Sequence, residues 1–366
     1  MKTFVKYLPL AGCLWAETPI PAQEPDQFTV IREVKATPVK NQHSSGTCWS
    51  YSALSYLESE LLRRGEPEYD LSEMWIVRHT YPAKAQKYVR LHGALEFASG
   101  GSFQDAFWVI ENCGIVPQEV YQGLNYGETE NVHAELDAVT KAYVGAILQT
   151  QNSDKRRRLT TAWMKGFEGI MDAYLGERPE KFTCQGKEHT PESFAQSLNF
   201  RFDDYVALTS FSHHPFYRPF ILEIPDNWIW ASYYNLPLEE LLETVNHALN
   251  SGHSALWAAD VSEPGFFSLK GIADISENGD GKTVTQEMRQ AAFDNFQTTD
   301  DHGMHMTGIA KDKTDKHFYK VKNSWGTVNG HNGYIYVSEA FFLYKTISVV
   351  VHRDALPKHI AKKIFK

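Results

Sequence analysis

Apolar residues in the first half of the chain return every three or four positions. From Cys48 onward Trp49, Ala53, Leu54, Leu57 and Leu61 fall on one helical face. The same period predicts helices over 50–64, 72–80, 83–91, 102–112, 132–148 and 159–175, with Pro82 dividing the second from the third. Asp70-Leu71-Ser72-Glu73 carries the residue types that start a helix, and a shorter helix is expected over 191–198. From Tyr205 the pattern changes to short strand-like runs, at 205–209, 220–224, 255–260, 304–311, 317–323, 333–337 and 345–352. One helix, 238–251, lies between two of them. Helices first and strands later is the α+β arrangement. Two lobes are expected, a helical one over about 42–200 and a β-barrel-like one over about 201–353, followed by a tail over 354–366, with a cleft between the lobes.

Composition narrows the class. The chain has 366 residues, 42% of them hydrophobic and 22% charged, enough for a sizeable core. A net charge of −9 argues against a broad basic face for nucleic acid. The interior basic run Lys155-Arg156-Arg157-Arg158 reads as a solvated loop or helix start.

The start of the chain is open to three readings. Residues 1–22 look like a short export leader, though Lys6 interrupts its apolar stretch. Leu10-Ala11-Gly12-Cys13 also fits a lipoprotein cleavage box in which Cys13 would be acylated. A cytoplasmic extension is the third. An exported, periplasmic or membrane-associated protein is the expectation. Beyond the leader only Cys48, Cys113 and Cys184 remain, too few for a disulfide framework. Cys113 falls on the apolar face of a predicted helix and Cys184 in a polar stretch. No Cys/His spacing suggests a metal, and no cofactor is called for. His213-His214 reads as a loop feature, since neighbours on a strand point to opposite faces.

Two stretches carry chemistry. In Gln42-His43-Ser44-Ser45-Gly46-Thr47-Cys48-Trp49-Ser50 a thiol opens a helix, where the positive end of the dipole favours thiolate, and Gln42 can offer amide N–H groups to an oxyanion. A buried structural cysteine fits that segment equally well. The second stretch, Asp301-His302-Gly303 and later Asn323-Ser324-Trp325-Gly326, supplies an imidazole and an orienting amide. Cys, distant His, then Asn is the chain order of a Cys-His-Asn triad. His305 rivals His302, but on a strand it points away from the face shared by His302, Met304 and Met306.

With these blocks the chain resembles the papain superfamily of cysteine peptidases. Gly100-Gly101 resembles the glycine pair whose backbone binds an extended substrate. Ser45 and Ala98 stand where secreted members usually carry a disulfide. Ser-Ser-Gly-x-Cys-Trp, Trp257-Ala258-Ala259-Asp260-Val261-Ser262 and Met288-Arg289-x3-Phe293 resemble the bleomycin hydrolase and aminopeptidase C branch. The resemblance implies a papain-like two-lobed fold with helical insertions. It also implies Cys48 as nucleophile, His302 as base, Asn323 as its orienting group, and an oxyanion hole of Gln42 and the Cys48 N–H. Trp325 would shield the His–Asn bond, Asp301 would help hold the loop near the thiol or be ordinary surface charge, and both are grouped with Gly100 and Gly101 as substrate contacts. Peptide substrates, no nucleic acid, and a homo-oligomer, a hexamer in that branch, are further implications. Branch members place a C-terminal arm in the cleft, whose carboxylate binds the substrate's amine. Here the tail ends in the basic run Ala361-Lys362-Lys363-Ile364-Phe365-Lys366, so aminopeptidase and endopeptidase action both stay open. An acyltransferase, or a binding protein on an inactive peptidase fold, are the remaining alternatives.

Overall fold

The computed structural model describes residues 27–153, 159–275 and 284–365; the leader with Cys13, the basic run at 155–158 and Lys366 lie outside them. After β1 (Phe28–Glu33) come the helices α1 (Cys48–Arg63), α2 (Glu73–Arg90), α3 (Phe103–Cys113), α4 (Ala134–Ser153) and α5 (Ala162–Leu175). A hairpin of β2 (Phe182–Cys184) and β3 (Lys187–His189) leads into α6 (Pro191–Leu198). Then follow β4 (Tyr205–Thr209), β5 (Pro219–Ile221), β6 (Ser232–Asn235), α7 (Leu238–Asn250), β7 (Ala255–Ala259), β8 (Phe266–Phe267) and β9 (Ile272–Ala273). The last part holds α8 (Gln286–Asp294), β10 (His302–Asp312), β11 (His317–Lys322), β12 (Tyr334–Ser338), α9 (Glu339–Lys345), β13 (Thr346–His352) and α10 (Lys358–Ile364).

The expected break at Pro82 does not occur, and α2 runs through it. Proline removes one helical hydrogen bond. Here Trp75, Ile76, Val77, Tyr81 and Ala85 on both sides of it are buried in one core, and that packing carries the helix across. Ser72 starts the helix by accepting from the Trp75 N–H at 3.0 Å, as its residue type suggested.

Eleven strands form one sheet, in the order β5-β6-β4-β13-β7-β10-β11-β12-β9-β8, with β1 pairing the distal half of β10. The sheet separates two apolar cores. Along β7, Leu256 and Ala258 pack with the helices, while Ala255, Trp257 and Ala259 pack on the other side with α7. A strand buried on both faces reads as a continuous apolar run, which is why this one was legible. α1 lies against β10 and is buried nearly all round. Its first residue, Cys48, therefore meets the first residues of β10.

The tail does not follow the branch's arm. Ile360 and Ile364 of α10 pack into the second core. Lys363 Nζ donates to Glu240 Oε1 at 2.6 Å, and Phe365 meets the Tyr234 ring edge-on at 5.6 Å. On β6, Tyr233 points to the helical lobe and bonds Gln104, so its neighbour Tyr234 marks the opposite face. The tail through Phe365 thus packs on the face of the sheet away from α1. No helix among the described residues is long and apolar enough to cross a membrane.

Candidate active site

The start of α1 is built without a capping side chain. Thr47 precedes it, but its hydroxyl lies 2.6 Å from Ser45 Oγ instead of on the helix. First-turn N–H groups have no partner inside a helix. The Cys48 N–H is thus placed to donate outward. Gly303, the second residue of β10, donates its N–H to Cys48 Sγ at 3.4 Å. A side chain at 303 would strike Phe103 and Ser52, so only glycine lets strand and helix approach this closely.

His302 is buried at the head of β10. Its Nε2 lies 2.8 Å from Asn323 Oδ1, at the end of β11, and its ring lies under Trp325 with centroids 4.5 Å apart. That leaves Nδ1 for the thiol. Gln42 is held from both ends: Ser324 Oγ donates to its Oε1 at 2.6 Å, and its Nε2 donates to Ser45 O at 2.6 Å. A primary amide has two N–H groups, and the second remains for an oxyanion.

Burial pushes the Cys48 thiol up to about 12, against the Gly303 N–H and with the carboxylates of Asp226 and Asp300 adding to the rise. Burial likewise lowers His302 to about 4, against the Asn323 bond. Desolvation opposes the thiolate that the helix dipole favours. One proton moving from the thiol to the imidazole makes both charges at once. A thiol, an imidazole, an amide bonded to that ring and N–H groups left free beside them can together carry out acyl transfer.

The Peptidase C1-like family matches residues 84–366. The chain belongs to the Peptidase C1-like family. It is 23% identical to aminopeptidase G of Lactobacillus delbrueckii subsp. lactis, over 89% of this chain and 83% of that protein. It is 22% identical to human bleomycin hydrolase, over 95% of this chain and 87% of that protein. The crystal structure of PepW from Lactobacillus rhamnosis superposes with a TM-score of 0.73 at 20% identity, over 92% of this chain and 84% of that one. The fold is papain-like α+β, and the chain is a cysteine peptidase.

In this C1-like chain the glycine pair lies against the starts of α1 and α3. A Cβ at Gly101 would meet Asp105 Oδ2 at 2.6 Å and the Trp49 ring at 2.9 Å. The Gly100 carbonyl is taken by Lys84 Nζ, which also donates to Ala98 O at 3.0 Å. Asp301, grouped with the substrate contacts from sequence, faces a different partner. Its two oxygens accept from the Val261 and Ser262 N–H groups at 2.8 and 3.1 Å, tying the loop after β7 to β10. His305 lies further along β10 against the middle of α1, its Nδ1 2.9 Å from Ser55 Oγ. Cys113 is half-buried rather than enclosed, and Cys184 is buried on β2. His213 and His214 lie in a turn, and their rings converge, with Nε2 atoms 3.2 and 2.6 Å from the two oxygens of Glu223. Sequence reasoning missed two carboxylates near the thiol. Asp300 stood in plain view beside Asp301. Asp226 carried no local signal, because a long-range loop contact brings it there.

Proposed function

We propose that this cysteine peptidase removes N-terminal residues from peptides. The single observation carrying the chemistry is the thiol of Cys48 on the Gly303 N–H, next to a His302 ring held at its far nitrogen by Asn323. Cys48 Sγ gives its proton to His302 Nδ1 and attacks the scissile carbonyl carbon. The developing oxyanion takes the Cys48 N–H and the second amide N–H of Gln42, each worth about 3 kcal/mol in such a role. Collapse breaks the C–N bond, and His302 returns the proton to the leaving amine. Water, deprotonated by His302, then hydrolyses the thioester and regenerates the thiol. Trp325 keeps solvent off the His302–Asn323 bond, and Gly100-Gly101 lines the acyl side of the cleft.

The aminopeptidase reading draws on the names of the relatives. The tail on the far face of the sheet favours a second reading, an open-cleft endopeptidase. One comparison decides between them. A free-amine aminoacyl reporter preferred by about tenfold or more over its N-acetylated form supports the first; equal cleavage supports the second. Alkylation of Cys48 must abolish either activity, and activity surviving it removes the peptidase mechanism. Export directed by residues 1–22, and a homo-oligomeric, hexameric assembly, complete the proposal. Cell fractionation and light scattering test them.

A further inference from the structure

Resting on the aminopeptidase reading, we propose that Asp226, seconded by Asp300, binds the substrate's α-ammonium and closes the acyl side of the cleft, in place of a C-terminal carboxylate. The position of Asp226 carries the argument. Its carboxyl group lies directly over the Cα of Gly100, so closely that a Cβ there would overlap it. A peptide laid along the glycine pair from Cys48 runs into this group. The carboxylate is therefore both a stop and a counter-charge.

The loop that presents it is pre-built. Asn227 Nδ2 donates to Leu222 O and Ala231 O, both at 3.0 Å, and its Oδ1 accepts from the Ala231 N–H at 2.8 Å. Trp228 Nε1 donates to Asp105 Oδ2 at 2.6 Å, at the start of α3 just after the glycine pair. Asp226 thus sits between the loop's own brace and its anchor on the helical lobe. Asp300 is framed in the same way. The N–H of Thr299 donates to Asp260 Oδ2 at 2.8 Å on one side, and Asp301 is tied down on the other. A carboxylate fixed in advance loses little freedom when a cation arrives.

Among the described residues no ion pair within 4.0 Å involves Asp226 or Asp300. Lys84 is the cation that acts on Asp226, but its ammonium bonds the Ala98 and Gly100 carbonyls. Glu96 adds negative charge nearby, and Asp226 itself bears on Asp300. Both are partly accessible, at the depth of the thiol, whose ionisation they oppose. Burial and like charge hold Asp226 up at about 6 and Asp300 well above the carboxylate range. An incoming ammonium relieves that repulsion. Through Phe365 the tail packs on the other face of the sheet.

The test is the ratio of kcat/KM for a free-amine aminoacyl reporter to that of its N-acetylated twin, measured on the full chain. Because both rates come from one preparation, a loss of folded protein cancels. Asp226→Asn is expected to lower a wild-type ratio of about tenfold or more towards one, mainly by raising KM for the free amine. Asp226→Glu should restore part of it, and Asp300→Asn should lower it by less. An unchanged ratio in Asp226→Asn and Asp300→Asn, with the wild-type preference intact, overturns the assignment and leaves the aminopeptidase reading standing. A wild-type ratio near one overturns both.

Discussion

The seam between α1 and strands β10 and β11 has two ends that use the same materials differently. At the outer end Cys48, His302 and Asn323 meet under Trp325. At the inner end Lys322 Nζ donates to Ser55 Oγ at 2.7 Å and Thr37 Oγ1 at 3.0 Å, Ser55 bonds His305, and Thr37 donates to Glu58 at 2.6 Å. Lys40 adds a bond of 2.6 Å to Glu73. Each end has a buried histidine three residues from the other on one strand, and burial lowers the pKa of both. What differs is access and partner. The inner histidine faces a hydroxyl and a lysine already held in a network, so its proton has nowhere useful to go. The outer one faces a thiol in a partly open cleft. Burial and residue type alone do not mark a catalytic histidine; a reactive partner with room for a substrate does.

That contrast breaks most sharply at the thiol. Cys48→Ala should lower turnover of a peptide reporter by about 10⁴-fold or more with an unchanged melting temperature. An alkylating reagent should block activity by modifying Cys48, while buried Cys184 reacts far more slowly. Residual activity above about a hundredth of wild type would move the chemistry elsewhere. Next in size is the base. His302→Ala should cost about 10³-fold in kcat, whereas His305→Ala should leave kcat within a few-fold at equal folded fraction. If the order reversed, the two ends of the seam would have exchanged roles. Asn323→Ala comes third, at about 10- to 100-fold, because it orients the ring but transfers no proton.

The sequence made the outer end legible and the inner end almost invisible. Cys48, His302 and Asn323 sit in short blocks whose neighbours are as diagnostic as the residues themselves. The inner cluster joins Thr37, Ser55, Lys322 and His305, each unremarkable where it stands, through contacts made only once α1 lies on the sheet. The same distinction holds for the fold. Long amphipathic helices and the doubly buried runs of β7, β10 and β13 were readable from their periods. Missed were β1, the β2–β3 hairpin, β6, β8, β9 and helices α8 to α10, because segments of two to nine residues show too few repeats of a period. Pro82 misled in the opposite direction, a local breaker overruled by packing. Asp226 shows the limit plainly: a loop closed by Asn227 and Trp228 places it over Gly100, and no local pattern encodes that.

The smallest effect concerns the inner histidine and acid. Burial, helped by the neighbouring Lys322 charge, holds His305 well below the usual imidazole value. Its folded-state pKa therefore lies below its unfolded value of about 6.5. The stability it contributes as a neutral ring is complete above that value, and it drains away as pH falls, because the unfolded chain takes up a proton that the folded chain refuses. Between pH 6.5 and pH 5 one such group accounts for about 1–2 kcal/mol. His302, at about 4, and His133, also at about 4, act in the same direction. Glu73, raised by burial to about 7, acts in the opposite one, losing stability as pH rises from 4.5 towards 7. Urea unfolding of the wild type and of His305→Gln at pH 7 and pH 5 isolates the one term, since the other groups are common to both proteins. Gln cannot titrate, so the variant should lose about 1–2 kcal/mol less than the wild type over that interval. Parallel losses would mean that His305 takes up its proton equally well in the folded protein, and the inner end would then be open to solvent rather than sealed.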